Sequence, residues 1–242
     1  MPLIAAMSLR DNGNLISISD VDAASSSVQV TLSVTNGLIS LNGTTGLTFS
    51  AGDGTSDSTM TFTGSMTDIN AALNGLAFAP TTNFNGAASL TITTDNQGNT
   101  GAGGALSDTD VVAITVGAIN DAPVNSVPTA QNTNEDTTLV FSSGNGNPIS
   151  INDVDAGSSS VQVTLTAANG AITLSGTTGL TFSAGDGSSD STMTFTGSMT
   201  DINAALNGLA FAPNANFNGA ASLTITTNDQ GNTGAGGALS DT

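Results

Sequence analysis

The sequence is written twice. Gly43–Gly54 recurs as Gly176–Gly187, Ser58–Pro80 recurs unchanged as Ser191–Pro213, and Gln97–Thr109 recurs as Gln230–Thr242. Each block is displaced by the same 133 residues (176 − 43 = 133), with no insertion or deletion between the blocks. Repetition of this kind is the signature of a duplicated structural unit. With 242 residues the chain has room for two domains of about 120 residues each. The two copies place repeat 1 at residues 1–118, a linker at 119–123 and repeat 2 at 124–242.

Inside each copy the hydrophobic residues recur with the period of a strand. Val28, Val30, Leu32 and Val34 alternate with Gln29, Thr31 and Ser33, which predicts a half-buried strand. Asn36-Gly37 predicts a tight turn into a second short strand at Leu38–Leu41. Further short runs at Leu47–Phe49, Met60–Thr63, Leu76–Phe78 and Leu90–Thr93 are punctuated by Asn-Gly and Asp-Gly, the spacing of an all-β sandwich rather than a parallel sheet. One segment departs from this pattern. Ser65 can cap a short helix, Asp68 falls in its first turn, Ile69, Ala72 and Leu73 share a face, and Gly75 can end it. It predicts a crossover helix in each copy, repeated at Ser198–Gly208. The last strand of the first copy is Asp110–Val116, and the second copy stops at Thr242, the counterpart of Thr109, so its final strand is expected to be missing.

Charge is the second constraint. Lys and Arg together number 1 and Asp and Glu 19, giving a formal net charge of -18, and Arg10 is the sole basic side chain. Such a chain has no means of holding nucleic acid, which needs clustered Lys and Arg against phosphate. Anionic membrane surfaces are disfavoured for the same reason, and no apolar run is long enough to insert into a bilayer. Met1–Met7 is too short, and lacks the basic flank, for a signal-peptide core. Cations are the favoured partners. All acids but Glu135 are Asp, the residue of turns and ion-binding loops.

The acids cluster. Asp20 and Asp22 flank Val21, and Asp153 and Asp155 flank Val154, so two carboxylates can point the same way from an extended segment. Asn120 and Asp121 lie in the linker, Glu135 and Asp136 open the second copy, and Asp95 and Asp229 sit in turns after Leu90–Thr93 and Leu223–Thr226. Calcium takes six to eight oxygens in irregular geometry, whereas transition metals favour the His and Cys that are absent here. Asp53, Asp57, Asp186 and Asp190 read as turn residues, Asp68 and Asp201 as helix-start charges, and Asp108 and Asp110 as strand-edge charges. Phe84 and Phe217, each in Asn-Phe-Asn-Gly, are expected to plug the core beside a tight turn.

Asn120-Asp121-Ala122-Pro123, Asn134-Glu135-Asp136-Thr137 and Asp153-Val154-Asp155-Ala156 resemble the linker, acidic start and Asp-x-Asp motif of cadherin-like repeats. The 133-residue unit as a whole resembles the tandem cadherin-like repeats of large bacterial surface and adhesin proteins, through Asp68–Leu76 and Asn83–Ala88 and their copies. The resemblance implies two tandem Ig-like Greek-key β-sandwiches, calcium (Ca2+) between successive domains and an extracellular, cell-surface location. Carried over, it implies Asn120, Asp121, Glu135, Asp136, Asp153, Asp155 and Asp229 as metal ligands, with Asp20 and Asp22 in an outer site left incomplete by Pro2 and Leu3. Asp95 is carried over with less support, because Asp95-Asn96 inverts the order of Asn228-Asp229.

Enzymatic chemistry is not expected. Without His or Cys no triad or thiol mechanism can be assembled, and without Trp or Tyr no aromatic platform can stack on a sugar. The leading reading is a calcium-rigidified extender or adhesin segment whose neighbours are further repeats or like chains, with a distal adhesion ligand the sequence does not name. The alternatives are a self-assembling filament or surface-layer subunit using strand addition, with Leu3–Leu9 of a neighbour as one donor, and a calcium-dependent carbohydrate-binding module. Thr-rich strands such as Thr59–Thr63 also raise ice binding, but alternating Thr is the ordinary solvent face of a strand.

Overall fold

The structure, a computed structural model, describes residues 15–21, 23, 26–98, 103–232 and 234–242. The chain divides into two compact units between Val116 and Gly117, so that residues 119–123, set apart by the sequence as a linker, belong to the second unit. Both units are all-β sandwiches whose strand pairings are all antiparallel.

Unit 1 contains β1 (Val28–Val34), β2 (Gly37–Ser40), β3 (Thr48–Ala51), β4 (Thr59–Gly64), α1 (Met66–Leu73), β5 (Ala77–Pro80), β6 (Gly86–Asp95) and β7 (Ser107–Val116). The large sheet has the order β3-β4-β1-β6-β7, and β2 pairs with β5 in a small second sheet. Central β1 keeps the alternation read from sequence: Val28, Val30 and Leu32 are buried. They share a core with Met60 and Phe62 of β4, Leu90 and Ile92 of β6, and Ile39 of the small sheet. The other face carries Thr, and Thr31 and Thr61 meet hydroxyl to hydroxyl at 3.0 Å. Asn36 makes the predicted turn with φ +58, a left-handed conformation that Asn tolerates. The next residue has no room for a side chain, since a Cβ on Gly37 would lie 2.4 Å from the Phe78 ring.

Unit 2 contains β8 (Val124–Ser126), β9 (Leu139–Phe141), β10 (Ser150–Asn152), β11 (Ser160–Ala168), β12 (Gly170–Thr173), β13 (Thr181–Ala184), β14 (Thr192–Ser198), α2 (Met199–Leu206), β15 (Leu209–Pro213), β16 (Ser222–Asn228) and β17 (Ser240–Asp241). The large sheet β13-β14-β11-β16-β17 repeats that of unit 1, and β12-β15-β9 and β10-β8 complete the unit. Its core centres on Val163, Leu165, Met193 and Phe195.

Each crossover helix forms as its sequence predicts. The Ser65 hydroxyl accepts from the Asp68 amide at 3.2 Å, and Ser198 does the same for Asp201. Ile69, Ala72 and Leu73 are the buried face. Asp53 and Asp57 behave as turn residues: the Asp57 carboxylate accepts from the amides of Asp53 and Gly54 at 3.0 and 2.9 Å. Phe84 and Phe217 differ from expectation. Both are only half-buried and belong to neither core cluster, because each ring folds over its own turn, toward Gly86 and Gly219, rather than inward. Asp22 and Leu3–Leu9 lie outside the described residues.

Replacing Phe195 by Ala, which removes a fully buried ring 5.4 Å from that of Phe182, is expected to lower the unfolding free energy of unit 2 by roughly 3–5 kcal/mol in urea titration.

Candidate metal centre

One end of unit 2 gathers most of the acidic motifs, and the helix α2 sets its geometry. Asn203 faces the strand leading to Asp153-Val154-Asp155. Its side-chain oxygen accepts from the Ile151 amide at 2.8 Å, and its side-chain nitrogen donates to the Ile151 carbonyl at 2.9 Å. An asparagine amide can satisfy both main-chain groups of one residue at once, so this single side chain stands in for a missing strand partner. Asn70 binds Ile18 in the same way in unit 1, at 2.8 and 2.9 Å. Sequence reasoning passed over Asn70 and Asn203, whose signal is a polar residue directly following the buried Ile69 or Ile202.

Beyond Ile151 the chain turns, and Asp153 closes the turn. Its Oδ1 accepts from the Asp155 amide at 3.1 Å and the Ala156 amide at 3.0 Å. Asp153 is only 5% exposed, yet its Oδ2 has no hydrogen-bond partner. The same holds for Oδ1 of the half-buried Asp155, while its Oδ2 accepts from the Asp121 amide at 2.9 Å. Burial pushes the Asp153 carboxyl above its ordinary value, and the neighbouring Asp155 carboxylate adds to the rise, against the pull of the two amides.

The entering segment crosses this end. Asn120 donates its amide to the Ala235 carbonyl at 3.0 Å, and Ala235 returns a bond to the Ala118 carbonyl, also at 3.0 Å. The Asn120 side chain donates to Oδ2 of Asp229 at 2.5 Å and to the Gly237 carbonyl at 2.9 Å. Gly234 must lack a side chain, since a Cβ there would lie 2.5 Å from the Asn120 nitrogen. Asp229 is 1% exposed, and its Oδ1 accepts from the amides of Gly231 and Leu239, both at 2.8 Å. Burial acts to raise its pKa, but the Leu239 and Gly231 amides and the Asn120 side chain outweigh it, and the net shift is downward.

The remaining candidates stand elsewhere. Glu135 and Asp136 are exposed, and Asp136 accepts from the Asn216 amide at 2.9 Å in the loop before β16. Asp229 follows the end of that seven-residue strand. The two sites are therefore separated by the length of β16, roughly 20 Å. The acidic start of the copy and its Asp-x-Asp motif occupy opposite ends of unit 2. In unit 1, Asn96 rather than Asp95 holds the place of Asp229, accepting from the amides of Gly98 and Leu106 at 3.0 and 2.9 Å. Asp95 accepts from the Gln97 amide at 2.6 Å, matching Asn228 and Gln230. Asp20 is buried like Asp153, and its Oδ1 accepts from the Ala23 amide at 3.2 Å.

Among the described residues no three Asp or Glu side chains meet in a metal-holding group. The chemistry that is present is a pair of adjacent carboxylates with two oxygens closed from solvent and unmatched, beside an entering segment that brings Asn120 and Asp121. A hard cation, which takes carboxylate and amide oxygens, suits such donors. Neither a protein-family model nor a curated protein matches this sequence.

The two buried carboxyls have opposite linkage. Asp153 holds its proton more tightly in the fold than at its ordinary value of 3.8, so stability falls as pH rises from 3.8 through its folded pKa. Asp229 holds its proton less tightly, so it contributes stability above 3.8 that is lost as pH falls through its folded pKa. In metal-free buffer at pH 7, Asp153→Asn is therefore expected to raise the thermal midpoint and Asp229→Asn to lower it. Both differences should shrink toward pH 3 in melts followed by circular dichroism. Asn203→Ala, which orphans both main-chain groups of Ile151, should cost about 1–3 kcal/mol in urea unfolding.

Proposed function

We propose that the chain is a calcium-stiffened segment of tandem β-sandwich repeats, an extender that carries an adhesive part of a cell-surface protein. The observation that carries this reading is the pair of unmatched, solvent-closed oxygens, Oδ2 of Asp153 and Oδ1 of Asp155, in a protein with a net charge of -18 and one basic side chain. Two adjoining carboxylates at one end of a domain are costly to leave ionised unless a cation joins them. In this reading Asp153 and Asp155 supply the carboxylate oxygens, and Asn120 and Asp121 supply further oxygens from the entering segment. Calcium would neutralise the pair and fasten residues 117–121 to the body of unit 2.

The mechanism is mechanical rather than catalytic. The Asp121 amide is already bonded to Asp155, so a cation on Asp155 and Asp121 adds to a contact the chain itself makes. Glu135 and Asp136, at the other end of unit 2, would serve the junction with whatever adjoins that end. Extracellular calcium modules work at dissociation constants of about 10⁻⁴–10⁻³ M, which matches a surface location.

Calcium at 100 times its Kd is expected to stabilise unit 2 by about 2.7 kcal/mol, a rise in Tm of roughly 10 °C. Amide exchange at Asn120 and Asp121 should slow in parallel. Asp155→Ala should abolish both effects. Melting curves and exchange rates that are the same in calcium and in EDTA would defeat the proposal.

A further inference from the structure

Asp121 and Asp155 are 34 positions apart, and a short ladder brings them together. β8 and β10 pair antiparallel over Ser126↔Ser150, Asn125↔Ile151 and Val124↔Asn152. Continuing that register three residues further sets Asp121 opposite Asp155, and there the Asp121 amide donates to Oδ2 of Asp155 at 2.9 Å. The ladder stops at Val124, because Pro123 has no N–H to give. In an antiparallel pair, alternate residues direct their main-chain groups away from the partner strand. Asn125 and Ile151 are such a pair. The Asn125 amide donates to Asp241 at 2.6 Å and its side-chain oxygen accepts from the Thr227 hydroxyl at 2.6 Å, so β8 is fastened to the large sheet. The amide and carbonyl of Ile151 are both taken by Asn203, so β10 is fastened to α2. So short a ladder does little to fix its own register, and a slip of one residue would put Asp121 opposite Val154 or Ala156. Unit 1 repeats the device: Asn70 takes both main-chain groups of Ile18, and buried Asp20 follows two residues on, as Asp153 follows Ile151.

We propose that Asn203 is a positioning residue for the cation pair: by holding Ile151 on α2 it fixes the register that keeps Asp121 opposite Asp155. The inference rests on the reading of Asp153 and Asp155 as a calcium site. Both bonds of the Asn203 side chain go to Ile151, so it acts on the carboxylates through the strand rather than as a ligand. Its removal leaves every donor oxygen in the chain and loosens their spacing. Side chains that orient the ligands of a metal in this way change its affinity by roughly 10–100-fold.

The test compares the full chain with Asn203→Ala and Asn207→Ala. Asn207 caps the end of the same helix, and its side-chain oxygen accepts from the Ser143 amide at 2.9 Å, outside the β8–β10 ladder. In EDTA, amide exchange at Asp121 is expected to quicken roughly tenfold in Asn203→Ala and to stay within about twofold of the parent in Asn207→Ala. In calorimetric titration with calcium chloride, Asn203→Ala is expected to weaken binding by roughly tenfold or more, and Asn207→Ala by less than about twofold. Unchanged Asp121 exchange in Asn203→Ala overturns the proposal, as do equal losses of calcium affinity in the two variants. If Asn203→Ala does not fold, the parent chain decides: calcium should slow exchange at Ile151, whose amide Asn203 holds, and leave Ser143 unaffected. An Ile151 amide that calcium leaves unchanged overturns the proposal. A parent chain that binds no calcium defeats the calcium reading and this role with it, whereas a parent and an Asn203→Ala chain that bind it equally well defeat the positioning role alone.

Discussion

A chain with 19 acids and one basic side chain has few ways to keep a carboxylate inside a fold. Salt bridges are nearly excluded by composition, so a buried Asp has to be served by amide donors or by a cation from solution. Asp229 takes the first route. Its Oδ1 is matched by two main-chain amides and its Oδ2 by Asn120, and the result is a carboxylate whose ionised form the fold favours. Asp153 and Asp155 take it only partly, leaving one oxygen each without a donor. The difference between these neighbours gives the end of unit 2 its chemical character.

The same constraint explains why that end is built from main chain. With amides as the main donors, loops have to be held so that N–H groups converge on each carboxylate. Asn203 pins Ile151 ahead of the Asp153 turn, and the Ala118–Asn120 segment is stitched to Ala235 beside the loop that surrounds Asp229. Unit 1 gives an internal comparison. There Asn96 replaces the buried carboxylate with a neutral amide in the same two-amide cradle. The cradle is thus a property of the loop, and the charge in it is a separate choice that accompanies Asn120 in unit 2.

Much of this was legible in the sequence. The alternation around Val30 and Val163, the Asn-Gly turns and the capped helices are local patterns with local causes, so each could be read from a few residues. The acidic motifs were legible as residue types but not as neighbours. The resemblance groups Glu135 and Asp136 with Asp153 and Asp155 as ligands, yet β16 separates the Asp136 loop from the Asp229 turn. Phe84 looked like a core residue by type, but its ring stays over its own turn. Asn203 was invisible as a site residue because its partner, Ile151, is 52 positions away.

By itself the sequence determined the duplication, the all-β class, the helix in each copy and the poverty of cations, because periodicity, capping and composition act over a few residues or over the whole chain. The tertiary structure decided which acids share an end of the sandwich, which oxygens of Asp153 and Asp155 are left without donors, and that the Gly117–Asp121 segment belongs with unit 2. Those outcomes depend on antiparallel pairing and on which loops the strands bring together. A strand of seven residues carries the chain from one end of the unit to the other, so closeness in sequence and closeness in space part company there.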